Sequence, residues 1–107
     1  MLKDTINGQE IEVAVIAADG TDTGDALRQD ERSLLSKIDA AIQADAGFAN
    51  EYPDARLVRA DSNRGVGDRD GGRFYLRYRH KGGMAELWGN VADEPKVDIG
   101  SGVVCVA

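Results

Sequence analysis

The sequence predicts an α+β fold in which one amphipathic helix packs on one face of a mainly antiparallel sheet. Alternating apolar and polar residues flank Asn7-Gly8 and Gly82-Gly83, and both dipeptides are typical of β-hairpin turns. Between the two hairpins, apolar residues recur at helical spacing. The length of 107 residues predicts a single globular domain, residues 1–107. The expected order is therefore an N-terminal β-hairpin, one helix and then a series of antiparallel strands.

The N-terminal hairpin is predicted from Asn7-Gly8, because a type I′ turn needs positive φ at both central residues. A two-residue loop pairs Ile6 with Gln9, and this register leaves one mostly apolar face and one charged face. Residues 14–17 are apolar on both faces, so the second strand is expected to be central in the sheet.

A helix is predicted from about Asp25 to Ala46, with Thr23 or Asp22 as its N-cap and Gly47 just after its end. Its apolar residues fall within about 120° of one another, which is the usual width of a core-facing stripe. They are Leu27, Leu34, Leu35, Ile38, Ala41 and Ile42.

Further strands are predicted at residues 55–60, 73–80 and 84–91, with a last hairpin around residues 100–102. If Gly82-Gly83 forms a two-residue loop, Arg77 lies opposite Trp88 and Arg79 opposite Glu86. The outer face of this hairpin then carries Tyr75, Arg77, Arg79, Met84, Glu86 and Trp88.

Tyr75, Arg77, Arg79 and Trp88 are the main candidates for partner binding. Trp, Tyr and Arg together are typical of protein-interface hot spots, and also of surfaces that stack single-stranded nucleic acid. Two structural explanations stay open. In the first, Arg77 and Trp88 form a cation–π pair on a solvated face. In the second, the sheet is covered on both sides and Trp88 belongs to the core.

The net charge of −6 is unevenly distributed. Residues 1–54 carry four basic and twelve acidic side chains, whereas residues 55–81 carry eight basic and three acidic ones. The basic segment either neutralises the acidic part within the fold or forms a basic surface. The overall acidity counts against nucleic acid as the partner, because affinity for nucleic acid depends mainly on phosphate neutralisation.

Two loops add candidates. The carboxylates of Asp19, Asp22, Asp25 and Asp30 form either an acidic recognition surface or a group that stabilises the positive end of the helix dipole. Residues 61–72 contain four glycines and predict a solvated loop, or a loop that contacts a partner through Arg64 and Arg69. This loop lacks the spacing of a phosphate-binding or EF-hand motif, so no metal or cofactor is expected.

The sequence does not assemble a catalytic set, so we expect no enzymatic activity. The predicted register places His80 and Glu86 on opposite faces, and Cys105 is expected to be a structural thiol. One Cys and one His exclude an internal disulfide and a structural zinc site. The start is polar and the chain has no apolar run of membrane-spanning length. These features predict a cytoplasmic protein without a membrane partner, in the host cytoplasm if a phage encodes it.

In size and charge the chain resembles inhibitors that phages and other mobile elements encode, including anti-CRISPR proteins, and toxin-immunity proteins. The resemblance implies a non-enzymatic protein that docks a macromolecular partner, a protein or a nucleoprotein complex. A nucleic-acid-associated module that uses residues 56–81 is the alternative. A structural or assembly subunit is a second alternative, in which a homo-oligomer forms through an exposed edge strand at residues 103–106.

Overall fold

The computed structural model describes residues 2–17, 19–63, 73–90, 96–98 and 103–105, and only the backbone at 63, 73, 88–90, 96–98 and 103–105. Seven strands and two helices follow one another along these residues. They are β1 (Leu2–Ile6), β2 (Gln9–Val15), α1 (Gln29–Ala44), α2 (Ala46–Glu51), β3 (Arg56–Asn63), β4 (Arg73–His80), β5 (Gly83–Asn90), β6 (Lys96–Asp98) and β7 (Val103–Cys105).

The strands form one sheet in sequence order from β1 to β7. The two helices connect β2 to β3, and this pair is parallel. The other pairs are antiparallel. The predicted α+β class, with a mainly antiparallel sheet and an N-terminal hairpin, is therefore confirmed. Strand β7 lies at the edge of the sheet.

The N-terminal hairpin has the predicted register, with Ile6 opposite Gln9 and Leu2 opposite Val13. Asn7 and Gly8 have φ values of 50° and 80°, as the type I′ turn requires. Strand β2 lies between β1 and β3, and Ala14 and its neighbours are buried, which confirms its central position.

Helix α1 begins at Gln29, four residues later than predicted. Thr23 does not cap it, because the Thr23 N–H and hydroxyl both bind the Val15 carbonyl at 2.9 Å. Asp22 pairs with Ile16, and its carboxylate accepts the Gly24 N–H. The residues from 22 to 24 thus extend the sheet edge instead of starting the helix.

The C-terminal prediction for the helix is also wrong, because Gly47 lies inside a second helix. The carboxylate of Asp45 accepts the Phe48 N–H at 2.9 Å. Asp45 thereby caps the start of α2 directly after it ends α1.

The turn between β4 and β5 is Lys81-Gly82, not Gly82-Gly83. His80 pairs with Gly83, and the His80 Nδ1 accepts the Gly82 N–H at 3.1 Å. The register moves by two residues, which leaves the described side chains on their predicted faces and gives each residue a new opposite neighbour. Trp88 lies opposite Tyr75, and Glu86 lies opposite Arg77.

The core lies between the helices and one face of the sheet. Of the predicted helical stripe, Leu35, Ile38 and Ile42 are buried, and Leu34 and Ala41 pack against the core. Leu27 is buried as well, but it lies before the start of α1. The sheet contributes Ile6, Ile11, Val13, Val15, Leu57, Ala60, Phe74, Leu76, Tyr78, Ala85 and Leu87.

A buried polar group joins the helix to the sheet. Asp39 is only 3% exposed, and its carboxylate accepts hydrogen bonds from the Tyr78 hydroxyl at 2.6 Å and the Asn7 amide at 2.9 Å. The Asn7 amide also donates to the Ser36 carbonyl. Burial, and then the Asp39 charge, raises the pKa of Tyr78. The tip of the first hairpin, α1 and β4 are thus held by one set of hydrogen bonds.

Strand β3 continues to Asn63, so the predicted 61–72 loop begins later than expected. Residues 64–72, which include Arg64 and Arg69, lie outside the described residues. Among the described residues, no helix is both long and apolar enough to cross a membrane.

Candidate binding face

The outward-pointing side chains of β3, β4 and β5 form what we call the outer face. Along β4, Phe74, Leu76 and Tyr78 are buried in the core, so the intervening Tyr75 and Arg77 point to the opposite side. The register places further side chains on the same side. The described members of the outer face are Arg56, Arg59, Asp61, Tyr75, Arg77, Arg79, Met84 and Glu86.

Tyr75, Arg77 and Glu86 form a hydrogen-bonded group at the centre of the outer face. The Arg77 Nε donates to the Tyr75 hydroxyl at 2.8 Å, and this hydroxyl donates to the Glu86 carboxylate at 2.9 Å. The Arg77 guanidinium also lies 5.7 Å from the Tyr75 ring centroid, a cation–π distance. Burial, followed by the bond to Glu86, raises the pKa of Tyr75, so the phenol remains a donor at neutral pH.

Sequence reasoning missed a second ordered pair on this face. The Arg59 Nε and Nη2 donate to the two carboxylate oxygens of Asp61, each at 3.0 Å. The Asp61 carboxylate raises the pKa of Arg59, and Asp61 itself is 8% exposed. Residues two positions apart on a strand share a face. The pair could therefore have been predicted only if β3 had been expected to continue to Asn63.

The structure brings Tyr75, Arg77 and Arg79 together on the outer face, as predicted. Arg79 is exposed and lies opposite Met84, whose side chain is 47% exposed. The predicted cross-strand position of Trp88 against Arg77 is wrong, because the backbone register pairs Trp88 with Tyr75. The observed cation–π contact of Arg77 is accordingly with Tyr75.

The predicted acidic group is spread over a loop and the start of α1. The Asp19 carboxylate accepts the Thr21 N–H and hydroxyl, and these bonds lower the pKa of Asp19. Asp22 binds the Gly24 N–H in the same way. Asp25 lies in the segment before α1, and Asp30 lies in the first turn of the helix. The first two carboxylates thus shape the loop, and Asp30 lies where the helix dipole favours a negative charge.

His80 lies on the core side of β4. Its ring packs on Tyr52 at 4.6 Å between centroids, and its Nδ1 accepts the Gly82 N–H. Glu86 points to the outer face, as the sequence predicted. Among the described residues, no three His, Cys, Asp or Glu side chains lie close enough together to hold a metal ion.

Comparisons of this chain with protein-family models, with curated proteins and with solved structures found no match.

Proposed function

We propose that this protein is a non-enzymatic binding module of the inhibitor or immunity type, which docks a protein partner through the outer face. The observation that supports it is the ordered group of Tyr75, Arg77 and Glu86 on that face. Tyr and Arg are enriched among the residues that dominate binding energy. Because hydrogen bonds already restrict these side chains, they lose less conformational entropy when a partner binds them.

Arg79 and Met84 extend this surface beyond the hydrogen-bonded group. Met84 exposes 47% of its surface beside the exposed Arg79. A methionine side chain adapts its shape to a partner, and an arginine contributes both stem area and charge. The surface thus combines an ordered centre with an adaptable margin, which suits a protein partner.

The same geometry argues against a nucleic acid. The Arg59 guanidinium is bound to the Asp61 carboxylate, which offsets its charge. Fewer cations therefore remain for phosphates than the eight basic residues of the 55–81 segment suggest.

We also propose a cytoplasmic location, since one cysteine in 107 residues suits a reducing compartment.

A comparative pull-down from a cell lysate tests the outer face. We compare the wild type with a Tyr75→Ala/Arg77→Ala variant and with a control, Lys37→Ala/Asn50→Ala, whose two positions are exposed on the helices. We expect the wild type and the control to capture the same protein, and the outer-face variant to capture at least about tenfold less. Equal capture by all three, with native circular dichroism, contradicts the proposal.

The fluorescence of Trp88, the one tryptophan in the chain, provides a second test. The proposal predicts a red-shifted emission that iodide quenches almost as well as it quenches a free tryptophan amide. Addition of the captured partner should then protect the indole. A blue-shifted and protected emission in the free monomer contradicts a role for Trp88 in this surface.

A further inference from the structure

A groove with a volume of about 590 Å³ opens where β2 and β3 separate. The first hairpin forms one wall and the start of β3, with Arg79 of β4, forms the other. The lining residues are Lys3, Gly8, Gln9, Glu10, Ile11, Glu12, Arg56, Leu57, Val58 and Arg79.

The groove exists because the parallel pairing of β2 and β3 begins late. Their register starts at Glu12 and Arg59, although both strands begin three residues earlier. On the other side of β3, the register with β4 shifts between Leu57 and Arg59. Such a bulge bends a strand and increases its twist, and this one lies where the pairing of β3 with β2 begins.

Two arginines at this groove lie directly opposite each other. Arg56 pairs with Arg79 in the β3–β4 register, and both are exposed. Neither forms an ion pair with a described residue, whereas Arg59 is bound to Asp61. Like charges in directly opposite positions destabilise a sheet, so this pair is unfavourable in the isolated chain. An anion bound between the two guanidinium groups would remove the repulsion.

We infer that Arg56 and Arg79 form a carboxylate-binding subsite for an acidic segment of the protein partner. The inference rests on the proposed function and names the chemistry of that partner. Arginine binds a carboxylate through two parallel hydrogen bonds, and the two side chains supply one or two such forks. Glu10 and Glu12 also line the groove. Their charges oppose every anion in the groove, and a polyphosphate backbone most of all, because it carries one charge per nucleotide and needs several free cations.

Arginine side-chain resonances in the NMR spectrum of the isolated protein test the subsite. The probe is a short blocked peptide of alternating glutamate and glycine, with a glutamine–glycine peptide as its neutral control. We expect the glutamate peptide alone to shift the Nε–H signals of Arg56 and Arg79. Binding should weaken about tenfold in Arg79→Gln, less in Arg79→Lys, and not at all in a control variant at the exposed Lys37, Lys37→Gln.

Three results overturn the subsite. The neutral peptide shifts the same signals equally, Arg79→Gln binds like the wild type, or an oligothymidylate binds there more tightly than the glutamate peptide. A stability measurement adds a second criterion. Arg79→Glu places a carboxylate opposite Arg56, so it should raise Tm while it abolishes peptide binding. A lower Tm contradicts the repulsion on which the inference depends.

The pull-down separates failure of this subsite from failure of the proposed function. If Arg56→Gln/Arg79→Gln captures the partner normally but Tyr75→Ala/Arg77→Ala does not, the subsite is wrong and the binding face stands. If neither variant changes capture while the glutamate peptide still binds, the proposed function is wrong and the anion site remains.

Discussion

Replacement of Tyr78 by phenylalanine is expected to lower the free energy of unfolding by about 2 kcal/mol, the value of one hydrogen bond to a charged group. The Tyr78 hydroxyl donates to the Asp39 carboxylate at 2.6 Å, and both side chains are buried. Phenylalanine keeps the ring contact with Phe48, whose centroid lies 5.1 Å away. Asp39 keeps its bond from Asn7. The loss therefore comes from one missing donor to a buried carboxylate.

Urea unfolding followed by far-UV circular dichroism measures this loss, and the m-value should not change. For a chain of 107 residues, the loss corresponds to a fall in Tm of about 8 °C. Tyr52→Phe is the matched control, because the Tyr52 ring also contacts Phe48 but its hydroxyl is not bound to Asp39. We expect the control to change stability by less than about 0.5 kcal/mol. Equal effects of the two variants would refute the role of the Tyr78–Asp39 bond.

Alkaline pH should destabilise the fold, because burial and then Asp39 raise the pKa of Tyr78 above its ordinary value of 10.0. This contribution is complete below pH 10 and is lost as the pH rises further, so urea midpoints should fall more steeply in the wild type than in Tyr78→Phe. Asn7→Ala should lower the free energy of unfolding by about 2–3 kcal/mol, because alanine is strained at positive φ and cannot form the hydrogen bonds to α1. Asn7→Gly should lose only the hydrogen bonds. Arg59→Ala should lower the free energy of unfolding by about 1–2 kcal/mol, because it leaves the Asp61 carboxylate without its partner. Purely additive effects of Arg59→Ala and Asp61→Ala in the double variant would contradict this role of the pair.

Local rules were sufficient for the parts of the fold whose contacts are near in sequence. The turn chemistry of Asn7-Gly8 determines every pair of the first hairpin. Helical periodicity identified the buried stripe of α1, although competing bonds from Thr23 delayed its start. In the second hairpin, two adjacent glycines allow more than one loop. The predicted register was wrong by two residues, an even number. The described side chains of the outer face therefore remain on the face that was predicted for them.

Contacts that are distant in sequence could not be predicted. A double-sided apolar strand shows that β2 is central, but not that its second neighbour is the parallel β3. Asp39 lies near the apolar stripe of the helix. Only the folded structure shows that Asn7 and Tyr78 donate hydrogen bonds to its carboxylate. Similarly, the importance of Arg56 and Arg79 depends on the bulge in β3, which has no signal of its own in the sequence.

The ion pairs of the described residues bear on the two interpretations of the uneven charge. If the basic 55–81 segment neutralised the acidic first half, its arginines would pair with carboxylates of residues 1–54. The described ion pairs stay within each segment, although Glu12 of β2 lies opposite Arg59 and its charge adds to that of Asp61 in raising the pKa of Arg59. Arg32 binds Asp4 in the acidic half, and Arg59 binds Asp61 in the basic one. Arg56 and Arg79, which form no ion pair with a described residue, are therefore the part of the outer face on which we propose that an acidic segment of a partner binds.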